Sequence, residues 1–204
     1  HSDSSAASDV YKRQDQTPAN IRDSVITAIQ GYINESDTEK FNGKFRYSKF
    51  VGVIDDADVS INSNLTSLIM RKDFYPQLNS TFYYEVCFQN AFDEDCDDPV
   101  LSSTGFRVTE YPNFDVYVED RDKKIVLYRL DSVTGEKVVL DSDIGDIDYV
   151  KGELKMYALT IIKGSFFDNR ISLRVRPLSN DIKAMREVYL DVDVPNSSFT
   201  AYKE

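Results

Sequence analysis

Carboxylates are the residues of this sequence with the most chemistry to offer, and they gather in three places: Asp93-Glu94-Asp95-Cys96-Asp97-Asp98, Asp55-Asp56-Ala57-Asp58, and Asp141-Ser142-Asp143-Ile144-Gly145-Asp146-Ile147-Asp148. A hard-cation site is the first chemistry to test, because calcium takes about six to eight oxygen ligands. The first cluster lacks a glycine at the turn position and a bidentate acid at helix–loop–helix spacing, so it reads as a solvated acidic loop. The third matches no ligand scheme and reads as an Asx-type turn ordering the entry to the next strand. The second stands where a predicted helix ends, a place where carboxylates oppose the helix dipole. Its reading is local structure first and pairing with a basic partner surface second. Two carboxyl groups about 5–10 Å apart would suit glycoside hydrolysis, but with 35 acidic residues such pairs arise by chance. The eight glycines are scattered singly, so no phosphate-cradling loop is present. No metal, cofactor or catalytic set emerges, and the sequence is read as that of a non-enzyme.

Nucleophilic chemistry fails on a simpler ground. The only histidine is His1. It lies in residues 1–14, a stretch without periodicity or signal-peptide layout that resembles a translated sequencing adapter and is set aside as not native. Without it, Ser–His–Asp, Cys–His and His-ligated zinc sites have no histidine. Cys87, in an apolar-aromatic run, and Cys96, in the acidic loop, read as two free thiols. Basic residues number 24 against 35 acidic ones, a net charge of −11. That balance disfavours nucleic acid, whose phosphates need Lys and Arg, and anionic membrane surfaces. No apolar run approaches bilayer length.

The elements that must position these groups fall into an α+β order. Thr17-Pro18 is a helix start, with Thr17 as cap and Pro18 at the first helical position. Ile21, Val25, Ile26, Ile29, Tyr32 and Ile33 then recur at helical spacing until Asn34-Glu35-Ser36-Asp37 ends the pattern. A second helix is predicted from about Ser48, its cap, to Asp56. Strand character begins near Asp58 with Val59, Ile61, Leu65, Leu68 and Met70. It continues through residues 81–88, 105–109, 115–119, 124–130, 137–140, 147–150, 153–157, 171–176 and 186–192. Asp120-Arg121-Asp122, Val133-Thr134-Gly135-Glu136 and Val150-Lys151-Gly152-Glu153 supply hairpin turns. The expectation is residues 15–72 as a helix-helix-strand part of a larger truncated domain, then residues 73–204 as a mainly antiparallel, β-sandwich-like domain.

One segment is distinctive: Lys44-Phe45-Arg46-Tyr47-Ser48-Lys49-Phe50-Val51-Gly52-Val53-Ile54-Asp55-Asp56-Ala57-Asp58, followed by Ser60-Ile61-Asn62-Ser63-Asn64. It resembles the C-terminal region of the ring-forming baseplate wedge protein of T-even-like phages and cyanophages. The likeness extends to the preceding helix, to Met70-Arg71-Lys72, to residues 142–149 and to Arg176-Pro177-Leu178-Ser179-Asn180-Asp181-Ile182. The acidic loop 93–98 has no match in that pattern. The resemblance implies a structural role in the virion tail, with host cytoplasm as the place of assembly. It also implies dimer and ring contacts between copies, contacts with other wedge proteins, and no catalytic residues.

Two opposed charge groups within thirteen residues are the candidate protein–protein contacts: Arg46, Tyr47 and Lys49 on the basic side, Asp55, Asp56 and Asp58 opposite. The competing reading is a carbohydrate- or receptor-binding β-sandwich module. There Tyr75, Tyr83, Tyr84, Tyr111 and Tyr117 would form an exposed aromatic strip.

Overall fold

The computed structural model describes residues 17–35, 43–94, 98–184 and 190–202. In chain order the elements are α1 (Pro18–Glu35), β1 (Lys44–Phe45), α2 (Tyr47–Asp55), β2 (Met70–Phe74), β3 (Thr81–Cys87), β4 (Leu101–Ser103), β5 (Phe106–Val108), β6 (Tyr111–Arg121), β7 (Lys124–Leu130), β8 (Lys137–Asp148), β9 (Glu153–Lys163), β10 (Ile171–Val175) and β11 (Ile182–Lys183). They divide into two compact units. Unit 1 comprises the described residues up to Ser67 and those from Asn180 onward, and unit 2 runs from Leu68 to Ser179. The sequence reading had carried one β-rich domain from residue 73 to the end of the chain. The last segment instead counts with unit 1, where β11 pairs antiparallel with β1, Phe45 opposite Ile182.

In unit 1, α1 starts where its sequence says it should, with the Asn20 amide donating to the Thr17 hydroxyl at 3.3 Å. Val25 and Ile29, one turn apart, are buried. Tyr32 meets Phe50 edge-on at 5.7 Å, and Phe45 lies 5.0 Å from Phe50. These rings join the helix, the short strand and the second helix into one small core. α2 departs from expectation at its start. Ser48 does not cap it; the N-cap residue is Arg46, with no side-chain cap bond. The Tyr47 amide donates instead to the Asp181 carboxylate at 2.9 Å. A residue far along the chain thus satisfies one of the orphan donors of the first turn and adds favourable charge there. The strand expected from Asp58 is absent. Residues 60–69 hold no regular element, and Val59 and Leu65 are 81% and 102% exposed.

Unit 2 is a single antiparallel system that is barrel-like. β6, β5, β9, β8 and β7 pair in that order and β7 returns to β6, closing a ring. Five antiparallel neighbours cannot alternate in direction around a closed ring unless a strand bends. β6 does this by division, pairing residues 111–116 with β5 and residues 117–121 with β7. β9 likewise gives residues 153–156 to β8 and residues 161–163 to β5. Beyond the ring, β4, β10 and β2 extend the sheet from β6, and β3 pairs with β9. Inward-facing Val116, Val118, Ile125, Leu127, Leu154, Met156, Ile161, Leu173 and Val175 alternate with outward residues and fill the core.

Residues 141–148 were expected to turn into a separate strand. They belong to β8, whose register slips against β7 between Leu127 and its neighbours. The Asx interaction survives inside the strand, since the Asp143 amide donates to the Asp141 carboxylate at 3.0 Å. Polar residues enter a strand here because a bulge makes local room for them. The β6–β7 turn sits one residue later than expected, on Asp122 and Lys123, both with positive φ (49° and 65°), as a two-residue primed turn requires. Gly152, φ +68°, is needed after β8 for a second reason: a Cβ there would lie 2.0 Å from the Asn90 carbonyl oxygen. Of the strand expected over 186–192, residues 186–189 lie outside the described residues, and residues 190–192 are not in a strand.

Candidate contact surface

The six residues singled out by charge all lie on or beside α2, but they do not share one task. Arg46 and Lys49 are exposed at its N-terminal end, and Asp55 and Asp56 at its C-terminal end. A nine-residue helix is roughly 13 Å long, so two opposite charge groups stand about that far apart on unit 1. Both are placed against the helix dipole, which favours acids at the first turn and bases at the last. Among the described residues, the side chains of Arg46, Lys49 and Asp56 make no ion pair. Asp55 accepts a hydrogen bond from the Asn64 amide at 2.6 Å.

Tyr47 and Asp58 are turned to internal work. The Tyr47 hydroxyl donates to the Thr66 carbonyl at 2.6 Å, tying the loop after α2 back to its start. Asp58 accepts from both the amide and the hydroxyl of Ser60, at 2.9 and 2.5 Å, and these bonds hold its carboxyl below the usual range. The structure therefore leaves Arg46, Lys49, Asp55 and Asp56 presented outward. Exposed Val59 and Leu65 follow the acidic pair in the chain. The sequence places those two apolar residues in a strand, and the structure leaves both outside any regular element.

The other carboxylate clusters are paired. Glu94 meets Lys123 at 2.8 Å, while Asp95, Cys96 and Asp97 of the acidic loop lie outside the described residues. An open depression of about 410 Å³ is lined by Glu94, Lys123, Asp146, Asp148, Glu153 and Lys155 among others. A glycosidase needs one carboxyl raised to act as an acid. Here two are lowered: Asp146 by Lys124 at 2.8 Å and by the Tyr157 hydroxyl at 2.6 Å, Asp148 by the Lys151 amide at 2.9 Å. Glu85, Cys87 and Glu153 bring ligand atoms within 4.8 Å of one another. The Cys87 thiol is pushed up by burial and by those two acids.

The tyrosines of the carbohydrate reading are dispersed. Tyr75 and Tyr83 are exposed, Tyr84 packs on Phe74, Tyr111 on Phe114, and Tyr117 stacks on Tyr128 at 5.6 Å. They come from β3, β6 and the loop after β2 rather than from one strand face.

Residues 7–73 match the family model of the baseplate structural protein gp6, C-terminal domain III. The match spans α1, β1, α2, the loop after it and most of β2, and it supports a baseplate wedge-type protein with a structural role in a phage virion tail. All six charge-selected residues fall within it. It begins at residue 7, inside the stretch set aside as foreign. No curated protein matches the chain. Among the described residues, no helix is long and apolar enough to cross a membrane.

Proposed function

We propose that this chain is a structural element of a contractile-tail baseplate, and that unit 1 forms contacts between neighbouring copies and neighbouring wedge proteins as the ring around the tail hub closes. The observation that carries the reading is the family match over residues 7–73, together with what lies on the matched segment. Arg46 and Lys49 at one end of α2, and Asp55 and Asp56 at the other, are charges that the isolated helix would be more stable without. A neighbour bearing the opposite group relieves both ends at once. Where the basic end of one copy meets the acidic end of the next in a repeated head-to-tail contact, the arrangement generates a ring when its rotation closes.

Sedimentation velocity on the complete protein tests this. Arg46→Glu with Lys49→Glu, or Asp55→Lys with Asp56→Lys, weakens self-association in each case, and the effect grows at low ionic strength. Mixing the two variants restores assembly between them. Unchanged sedimentation of both double variants would sink the assignment.

A further inference from the structure

The register of unit 2 gathers positive charge on the sheet face turned away from the core. Ile171, Leu173 and Val175 of β10 face inward, so Ser172 and Arg174 take the opposite face. Arg174 stands directly across from Arg71 on β2 and from Ser102 on β4. Ser102 in turn stands across from Glu119 on β6, whose outward neighbours at two-residue spacing are Tyr117 and Arg121. With neighbouring strands about 4.8 Å apart, the side chains of Arg71, Arg174 and Arg121 come from closely adjacent strands of one face. Like charges directly opposite each other, as Arg71 and Arg174 are, destabilise a sheet.

Counter-charge on this face is scarce. Arg71 pairs with Asp73 at 3.1 Å. Glu119, 1% exposed, is shared between Arg121 at 2.7 Å and Lys137. Lys137 also lies 5.1 Å over the Tyr128 ring, which stacks on Tyr117. Arg174 is exposed and makes no ion pair among the described residues. This happens in a chain of net charge −11, where acids are plentiful and none of the described ones has been placed against Arg174.

We propose that this outer face, centred on Arg174 and flanked by Arg121 and Lys137, docks an acidic polypeptide segment of a partner protein. The exposed guanidinium offers a carboxylate two parallel hydrogen bonds, and the half-exposed Arg121 and Lys137 side chains extend the positive patch. A nucleic acid is the weaker fit. An extended polyanion runs past the local patch and meets the repulsion of the whole acidic protein, whereas a short acidic segment meets only the patch. The proposal concerns unit 2 and does not rest on the role given to α2.

Fluorescence anisotropy with a labelled peptide of consecutive glutamates at low ionic strength is the test. Saturable binding is expected, falling as salt is raised. Arg174→Glu weakens it by about tenfold or more, and Arg174→Lys retains part of it. Circular dichroism and the thermal midpoint establish that each variant is folded, with Arg174→Gln as the substitute where Arg174→Glu is not. Absence of binding by the parent protein, or equal binding by the folded Arg174 variants, overturns the proposal. So does equal affinity for a single-stranded oligonucleotide of matched charge, which would mark a general polyanion effect.

Discussion

Unit 1 and unit 2 reach a folded state by different means. Unit 1 assembles around a few residues: Val25 and Ile29 of α1, the Tyr32–Phe45–Phe50 rings, and Ile182 contributed from far along the chain. Its decisive contacts are single and long-range, such as the Asp181 carboxylate at the start of α2. Unit 2 repeats one device, strand alternation, across nine strands, and its core is continuous from Val86 to Val175. The difference teaches where tolerance lies. In unit 2 most changes are shared among many neighbours, so damage needs a large buried side chain. In unit 1 one polar contact can matter to a whole helix. The surface available for partners follows the same division: charges at the ends of a short helix in one, a broad sheet face in the other.

The largest expected effect comes from cutting each core separately. Phe92, 2% exposed and edge-on to Phe88 at 5.5 Å, loses about 3–5 kcal/mol on Phe92→Ala. Ile29→Ala in unit 1 costs about 2–5 kcal/mol. Urea unfolding followed by far-ultraviolet and tyrosine signals distinguishes them: the first variant shifts the strand-dominated transition and the second the helical one. Coincident shifts in both signals for both variants would break the comparison. Next comes Asp120, which is buried and accepts from the Leu101 amide and the Tyr149 hydroxyl, each at 2.7 Å. Asp120→Ala strands both donors and lowers the stability of unit 2 by about 1–3 kcal/mol.

Smaller still is Asp181→Ala, which removes the remote cap of α2 for about 1 kcal/mol and lowers helical ellipticity. Unchanged ellipticity and midpoint would show that the cap is dispensable. The smallest effect is confined to alkaline conditions. Burial and the neighbouring Asp120 carboxylate raise the Tyr149 hydroxyl above its ordinary 10.0. A folded-state value above the unfolded one means the stabilisation is complete below pH 10 and declines as pH rises beyond it. Tyr149→Phe therefore makes the fall of the midpoint above pH 10 shallower, and an identical alkaline slope would remove Tyr149 as its cause.

Much of the architecture was legible in local patterns. Thr17-Pro18 marks the start of α1 because cap chemistry is a two-residue affair, and residues 124–130 give β7 directly because Ile125, Val126, Leu127 and Tyr128 form an unbroken run of strand-favouring residue types. What escaped was set by contacts across the chain. Val59, Ile61 and Leu65 carry strand-like residue types, yet the segment forms no strand, and a strand pattern without a partner edge gains nothing from extension. Ser48 lost the capping role to Asp181. The true length of β8 was hidden by its bulge, which admits residues that read as a turn. Of the six charge-selected contacts, the sequence could show that opposite charges were near each other, but not that Tyr47 and Asp58 bond inward. The Arg71–Arg174 opposition was invisible for the same reason, since only the register of β2 and β10 creates it.

The pairing of β1 with β11 also sets an order of events during synthesis. Every strand of unit 2, from Met70 to Val175, leaves the ribosome in one uninterrupted run, and its ladders can close as soon as that run has emerged. Lys44 and Phe45, made much earlier, have no strand partner until Ile182 and Lys183 follow. A strand made before unit 2 is thus completed only after it, and through that interval the backbone edge of β1 remains open to whatever meets it first.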